Sequence, residues 1–224
     1  MTMGEVMGLA GILVAAYLAG SLPTAVIMSR LVAGVDVRDL GTGNAGAANV
    51  FREVDRRVGV FVAIVDILKG LLPVLVADRF FDLGPTGAVI AAAGALWGHQ
   101  YSVFLKFRGG AGLASAFGGV AGMMLGPTVV AGFVGLPMLL MTKNMGWTGG
   151  ITIAIAFGIT AISVFTDIQM PDLIAIEDAG YLYGGVLIGL LLALPFWLRK
   201  IFELRAARGG DAAPDASSTT EDQT

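Results

Sequence analysis

The chain has 224 residues, 56% of them hydrophobic and 14% charged, against roughly 25% charged in an average soluble domain. That much apolar surface excludes a water-soluble globule, and the absence of cysteine excludes disulfides, thiolate metal ligands and cysteine nucleophiles. The net charge of −3 excludes no class by itself; where the charges fall says more.

The first apolar run, 6–28, has about the length a spanning helix needs, ~17–25 residues. No basic stretch precedes it and no small-residue cleavage site follows, so it is expected to be a first membrane helix and not a removed signal. Arg30 at its end reads as an interfacial anchor. The basic segment 30–57 then places Gly41, Thr42, Gly43 and Asn44 together beside Arg38 and ahead of a short helix containing Asn49. Backbone N–H groups can converge on an anion there. Glycine-rich turns between helices also commonly do nothing more than turn, and the residues alone leave both readings standing.

The second run, 58–77, contains Asp66 and Lys69, three apart and so on one helix face. A structural ion pair is preferred over a catalytic role, because an unpaired charge in lipid is costly. After an acidic connection at 78–82, which includes Arg79, the third run, 88–105, carries the single histidine, His99. His99 reads equally as a packing residue or as a functional group at membrane depth. Lys106, Arg108, Gly109, Gly110 and Gly112 follow as a second flexible, anion-friendly turn. Two short helices, 113–125 and 128–141, are expected on either side of Gly126–Pro127, each below the ~20 residues of a full span. Past Lys143, a pair at 150–165 and 181–198 completes the bundle across an acidic connection at 167–178. The membrane-embedded domain is placed at 1–205. The tail at 206–224, rich in Ala, Ser, Thr and Asp without apolar periodicity, is expected to be disordered.

Basic residues mark cytoplasmic loops. They cluster at 30–57, at Lys106 and Arg108, at Lys143 and at 199–208, so those places are assigned to the inside and the two acidic connections to the outside. An even number of crossings must join two inside points. The expected fold class is therefore all-α: a polytopic membrane helical bundle with seven transmembrane helices, N-terminus outside and C-terminus cytoplasmic. Five is the count if the 113–141 hairpin does not cross. The 33 glycines spread through the apolar runs suit close helix packing in lipid.

Read together, three motifs resemble the bacterial acyl-phosphate:glycerol-3-phosphate acyltransferases. Gly20, Ser21 and Pro23, followed by Asp36 through Asn49, look like the family's first motif. Asp66 to Gly70 matches its Asp-x-x-Lys-Gly motif, and Gly98–His99 through Gly112 its Gly-His motif and Gly-Gly-Lys-Gly turn. The order and spacing also match, over roughly the first half of the chain, and the helix pattern extends the likeness to about residue 205. The resemblance implies seven helices and a cytoplasmic active site. It implies acyl transfer from an acyl phosphate to the 1-hydroxyl of glycerol 3-phosphate, giving lysophosphatidic acid for phospholipid biosynthesis in the bacterial inner membrane. No metal, cofactor or nucleic acid is implied; the partners are the two substrates and membrane lipids, and the oligomeric state is open. By this resemblance Ser21, Arg38, Thr42, Asn44 and His99 are the candidate catalytic residues. Gly41, Gly43, Asn49, Gly109, Gly110, Gly112, Lys106, Arg108 and Lys143 are the candidate substrate-binding residues, and Asp66 with Lys69 the structural pair.

The chain departs from the family pattern in three places. The lysine of the Gly-Gly-Lys-Gly turn is Ala111, a family serine falls at Gly146, and the C-terminal His-Arg-x-Asn stretch aligns with 197–204, which lacks the histidine and the asparagine. Lys106, Arg108, Lys143 and Lys200 lie on the same expected face and offer charge from other positions. A non-catalytic relative that binds lipid or phosphate, or partners an active acyltransferase, is the alternative; a small transporter is a third, which no pseudo-symmetric halves support.

Overall fold

In a computed structural model, residues 2–142, 145–166, 171, 176 and 178–192 are described, except for the side chains of 145–147. Lys143, the 197–204 stretch and the 206–224 tail lie outside them. The helices are α1 (Met3–Ser21), α2 (Thr24–Ala33), α3 (Ala47–Glu53), α4 (Arg56–Arg79), α5 (Gly84–Gln100), α6 (Leu113–Met123), α7 (Leu125–Thr142), α8 (Met145–Phe165) and α9 (Ala179–Leu192), with single 3₁₀ turns at Val37–Asp39 and Val103–Leu105. No strand occurs among the described residues. Five stretches are long and apolar enough to cross a membrane: Met3–Ala33, Arg56–Arg79, Gly84–Leu105, Leu125–Thr142 and Thr148–Phe165. The apolar α6 and α9 are shorter. The outer faces carry large apolar side chains, such as Phe61 at 48% and Phe133 at 78% exposed, which only a lipid environment covers at no cost.

Two expected boundaries are corrected. The 6–28 run is not one helix: α1 stops at Leu22, which turns extended (ψ 118°), and α2 restarts after Pro23. A proline disfavours the helical conformation in the residue before it and has no N–H to give its own helix, so apolarity continues where the hydrogen-bond ladder does not. The second correction concerns 113–141, where the chain breaks at Met124 and not at Gly126–Pro127. Pro127 sits in the first turn of α7, where a missing N–H costs nothing, and so starts that helix instead of ending α6.

Helix α5 is the centre of the bundle, flanked by α1, α4 and α6. Its core is alanine-rich (Ala88, Ala91, Ala92, Ala95), which lets neighbours approach closely. Reciprocal glycines bring two helix pairs into backbone contact. A Cβ on Gly20 would strike the Ala95 carbonyl and one on Gly98 the Tyr17 carbonyl, locking α1 to α5. Likewise Gly70 abuts the Ser115 carbonyl and Gly118 that of Ile67, locking α4 to α6. A smaller apolar cluster, including Val26, Val37, Ala45, Val50, Val62 and Leu105, lies under the segment 34–46 and seats it on the end of the bundle.

Candidate active site

The segment after α2 is held by its own side chains. Gly34 ends α2 in the left-handed region, and Asp36 caps the 3₁₀ turn by accepting the Arg38 N–H at 3.0 Å. The Arg38 guanidinium forks onto the Asp36 carboxylate at 2.9 and 2.7 Å, and Arg30 adds a bond of 2.8 Å. These hydrogen bonds, Arg38 foremost, hold the Asp36 carboxyl well below the usual carboxylate range, and Asp36 in turn pushes Arg38 up. Asn49, fully buried on α3, braces the rest of the loop. Its Nδ2 donates to the carbonyls of Val37, Leu40 and Asn44 at 2.8, 3.0 and 3.2 Å, and its Oδ1 accepts the Thr42 N–H at 3.2 Å. Gly41 has φ 51°, and a Cβ there would sit 2.7 Å from Asn49 Oδ1. The Gly41 to Asn44 turn is thus shaped from within by Asn49.

On α4 the expected ion pair is present. Lys69 Nζ lies 2.7 Å from Asp66 Oδ1, with both groups buried, and also donates to the Leu22 carbonyl at 2.5 Å. The pair therefore pins the α1–α2 break, adding a second donor to the Leu22 carbonyl, which also accepts the Thr24 N–H at 2.9 Å. Ser102 acts similarly, donating to the Ser21 carbonyl at 2.5 Å.

The second loop folds back on the end of α5: Gly109 N–H donates to the Gln100 carbonyl and Gly110 N–H to that of His99, both at 3.0 Å. Glycine is required at both. A Cβ on Gly109 would strike the His99 carbonyl, and one on Gly110 would meet the His99 ring and come within 2.8 Å of the Ala45 carbonyl. Gly110 is thus wedged between His99 and the first loop, so the two glycine-punctuated loops touch. Lys106 and Phe107 of this loop hold positive φ values of 53° and 63° with exposed side chains.

Beside the junction lies a cavity of about 580 Å³. At one part of its wall stand Asn44, Asp66, His99 and Ala111; elsewhere α4, α6, α7, α8 and α9 line it, mostly with apolar and glycine residues, with Thr148 and Thr152 of α8 as polar exceptions. Two helix N-termini reach its lining, that of α3 through Gly46, Ala47 and Ala48 and that of α6 through Gly112, Leu113 and Ala114. Both begin at a glycine N-cap with no side-chain cap; in α3 the Asn49 N–H turns back on the Gly46 carbonyl at 3.1 Å, which leaves the Ala47 and Ala48 N–H groups, with those of 113–115 in α6, for another acceptor. His99 is buried, 3.8 Å from Asp66, and makes no hydrogen bond through its ring with the described residues. A second space of about 10 Å³ lies behind it, lined by Ser21, Thr24, Asp66, Lys69, His99 and Gly110 among others; the Ser21 and Thr24 hydroxyls have no partner there. Asp66 and His99 face both spaces.

Of the candidate residues, Asn44, His99 and Gly112 line the main cavity together with Asp66. Ser21, Lys69 and Gly110 lie behind them on the smaller space. Arg38, Gly41, Thr42, Gly43, Asn49 and Gly109 frame the loops without lining either, and Lys106 and Arg108 are exposed beyond them. Sequence reading missed the Asp36 fork, the Ser102 strap and the two uncapped helix starts. The last had a signal: Gly46 and Gly112 each precede a helical run with no Ser, Thr, Asp or Asn in the capping position.

Fold and site together define a multi-pass α-helical integral membrane protein whose buried polar centre opens on a largely apolar cavity. The family model for glycerol-3-phosphate acyltransferase matches residues 10–201, and the chain belongs to that family. A glycerol-3-phosphate acyltransferase of Syntrophotalea carbinolica is 45% identical over 131 residues, 58% of this chain and 66% of the relative. One from Myxococcus xanthus is 35% identical over 192 residues, 86% of this chain and 92% of the relative. The first of these matches thus spans less than two thirds of the relative's length. Among solved structures, PlsY (YgiH), an integral membrane glycerol 3-phosphate acyltransferase, in its glycerol 3-phosphate form aligns with TM-score 0.67 and 27% identity, over 89% of this chain and 93% of that one. Its lysophosphatidic acid form aligns with TM-score 0.65 and 26% identity over the same shares.

Proposed function

We propose that the protein transfers an acyl group from an acyl phosphate to the 1-hydroxyl of glycerol 3-phosphate, giving lysophosphatidic acid and inorganic phosphate for phospholipid biosynthesis. Membership of the family supports the reaction. The observation that carries it is the pair of uncapped helix N-termini at Gly46 and Gly112 on the lining of one largely apolar cavity. Helix N-termini favour phosphate through free N–H groups and the helix dipole, and the apolar remainder suits an acyl chain.

In this reading the α3 and α6 N-termini, with Asn44 and His99, hold the phosphoryl groups while the chain lies among α6 to α9. The loop framed by Arg38, Gly41, Thr42, Gly43 and Asn49 fixes the α3 start, and Gly109, Gly110 and Gly112 fix that of α6. Lys106 and Arg108 supply positive charge at the rim, and Lys143, outside the described residues, offers a further cation. The hydroxyl oxygen attacks the acyl carbon, the bond from that carbon to the phosphate oxygen breaks, and the hydroxyl proton passes to the departing phosphate. An acyl phosphate is already activated, so no acyl-enzyme is needed; positioning and anion stabilisation do the work.

The loop end of the bundle faces the cytoplasm of a bacterial inner membrane. Exposed Arg30, Arg52, Arg56, Arg57, Lys106 and Arg108 support this, as do Asp78, Asp82 and Asp178 at the other end. The break in α1–α2 lies within one crossing, and α4 to α9 add six more. Helix α6 has 11 residues, about 16 Å at 1.5 Å per residue, so its crossing requires local thinning of the bilayer.

One observation favours the alternative of a non-catalytic, lipid-binding relative: among the described residues no lysine or arginine lines the main cavity, and Ala111 stands where the family has a lysine. Purified protein incubated with palmitoyl phosphate and labelled glycerol 3-phosphate separates the two. Labelled lysophosphatidic acid is the expected product; none from demonstrably folded protein overturns the enzymatic reading.

A further inference from the structure

We infer that Gly132 of α7, Gly150 of α8 and Gly189 of α9 set the length and girth of the acyl chain that the cavity accepts. The inference deepens the proposed function and rests on its assignment of the acyl chain to this cavity.

All three glycines line the cavity, from three different helices. None has a positive φ, so backbone conformation does not require glycine at any of them. Packing does not require it either, because a Cβ at each would meet nothing within 4 Å among the described residues. Other glycines lining the same cavity differ: a Cβ on Gly135 would strike the Thr152 hydroxyl, and one on Gly185 would lie 2.7 Å from the Phe157 ring. Glycine weakens a helix, and in membranes it is usually repaid by close helix contact. At 132, 150 and 189 no such contact exists among the described residues, and all three positions line the cavity.

That the room serves a ligand follows from the polar part of the lining. His99 is buried, lines this cavity and has no hydrogen-bond partner for its ring among the described residues. A cavity of about 580 Å³ also falls in the range of small-molecule sites, ~300–1,000 Å³. A flexible chain anchored by its head at His99 and the helix N-termini must run past the three glycines or stop short of them. A larger side chain at any of the three would occupy part of that path, and its first carbon meets no described neighbour.

The test measures kcat/KM for decanoyl, myristoyl, palmitoyl and stearoyl phosphate in the full-length protein and its Gly132→Leu, Gly150→Leu and Gly189→Leu variants. Each methylene excluded from an apolar site is worth about fourfold. Exclusion of two or three methylenes therefore lowers the palmitoyl-to-decanoyl ratio by ~15- to 60-fold, with KM for glycerol 3-phosphate unchanged. Alanine at the same positions gives a smaller shift in the same direction and covers the case in which a leucine variant does not fold. Gly158→Leu is the control. Gly158 lies on α8 with equally open space at its Cβ but does not line the cavity, so its chain-length profile stays that of the unmodified protein. A profile in the three variants no different from that of Gly158→Leu, or an equal loss at every chain length, overturns the inference. If the unmodified protein transfers no acyl chain at all, the proposed function fails separately. Thermal stabilisation by lysophosphatidic acids of graded length then reads the same ruler: a preferred length that shortens in the three variants supports it, and an unchanged preference refutes it.

Discussion

Replacing Asn49 offers a sharp test of how the first loop is held, because alanine and aspartate should fail in different ways. The Asn49 side chain is fully buried and bridges three carbonyls and one N–H of the segment 37–44. The Val37, Leu40 and Asn44 carbonyls keep backbone partners of their own, so Asn49→Ala leaves no carbonyl wholly orphaned. At about 1 kcal/mol per net hydrogen bond, plus a small cavity, the loss is about 2–4 kcal/mol. Asn49→Asp keeps the shape and the acceptor for Thr42 but puts a carboxylate oxygen against three carbonyls. A buried, unpaired charge costs about 3–5 kcal/mol, so the isosteric change should be worse than the truncating one. Lower pH should partly rescue the aspartate variant, since a protonated carboxyl again has a donor. Amide hydrogen exchange at Leu40, Thr42 and Gly43 reads the opening of this loop, and 2–4 kcal/mol corresponds to about 30- to 1,000-fold faster exchange in Asn49→Ala. An aspartate variant as protected as the alanine variant at neutral pH would refute Asn49 as the brace.

Lys69→Met should destabilise the bundle by about 3–5 kcal/mol, because it leaves Asp66 charged and buried without its ion-pair partner. Thermal unfolding in detergent should show the Asp66→Leu/Lys69→Met double variant recovering much of that loss; a double variant no more stable than the single one would contradict the pairing. The Asp36 carboxyl is depressed in the folded loop, so its contribution is full above its unfolded pKa of about 3.9 and is lost only as pH falls through the folded value. The stability gap between the unmodified protein and Asp36→Asn, from denaturant titration, should therefore be flat from pH 8 to pH 5; a gap closing by pH 6 argues against the fork. Ala111→Lys places a cation on the cavity lining. A charge-assisted hydrogen bond of about 1.5–3 kcal/mol should raise kcat/KM for glycerol 3-phosphate roughly 10- to 150-fold, and no gain would mean that another cation already fills that position.

The membrane class was legible because run length is set directly by bilayer thickness. The Asp66–Lys69 pair was legible because i,i+3 spacing fixes a shared helix face. The break at Pro23 was not: hydropathy measures side chains, and the interruption is in the backbone, between two equally apolar segments. Pro127 misled for the related reason that proline ends a helix from its interior but begins one from its first turn. The basic residues put both glycine loops on one side of the membrane, where they could meet; the geometry of the contact was not legible, because it depends on Gly110 packing between His99 at the end of α5 and the Ala45 carbonyl. Arg38 and Asn49 stand as candidate site residues through the family resemblance; their hydrogen-bond partners, Asp36 and the loop carbonyls, are set by the folded chain and were not legible in the sequence.

In the proposed function the α3 and α6 N-termini together bind the phosphoryl groups of the substrates. Amide hydrogen exchange of the purified protein with and without glycerol 3-phosphate tests it, since the N–H groups of Ala47 and Ala48 and of 113–115 have no hydrogen-bond acceptor among the described residues. Protection arising together at 47–48 and 113–115, with the same dependence on ligand concentration, is the expected result. Protection at only one helix start, or at neither while the ligand is demonstrably bound, would contradict it.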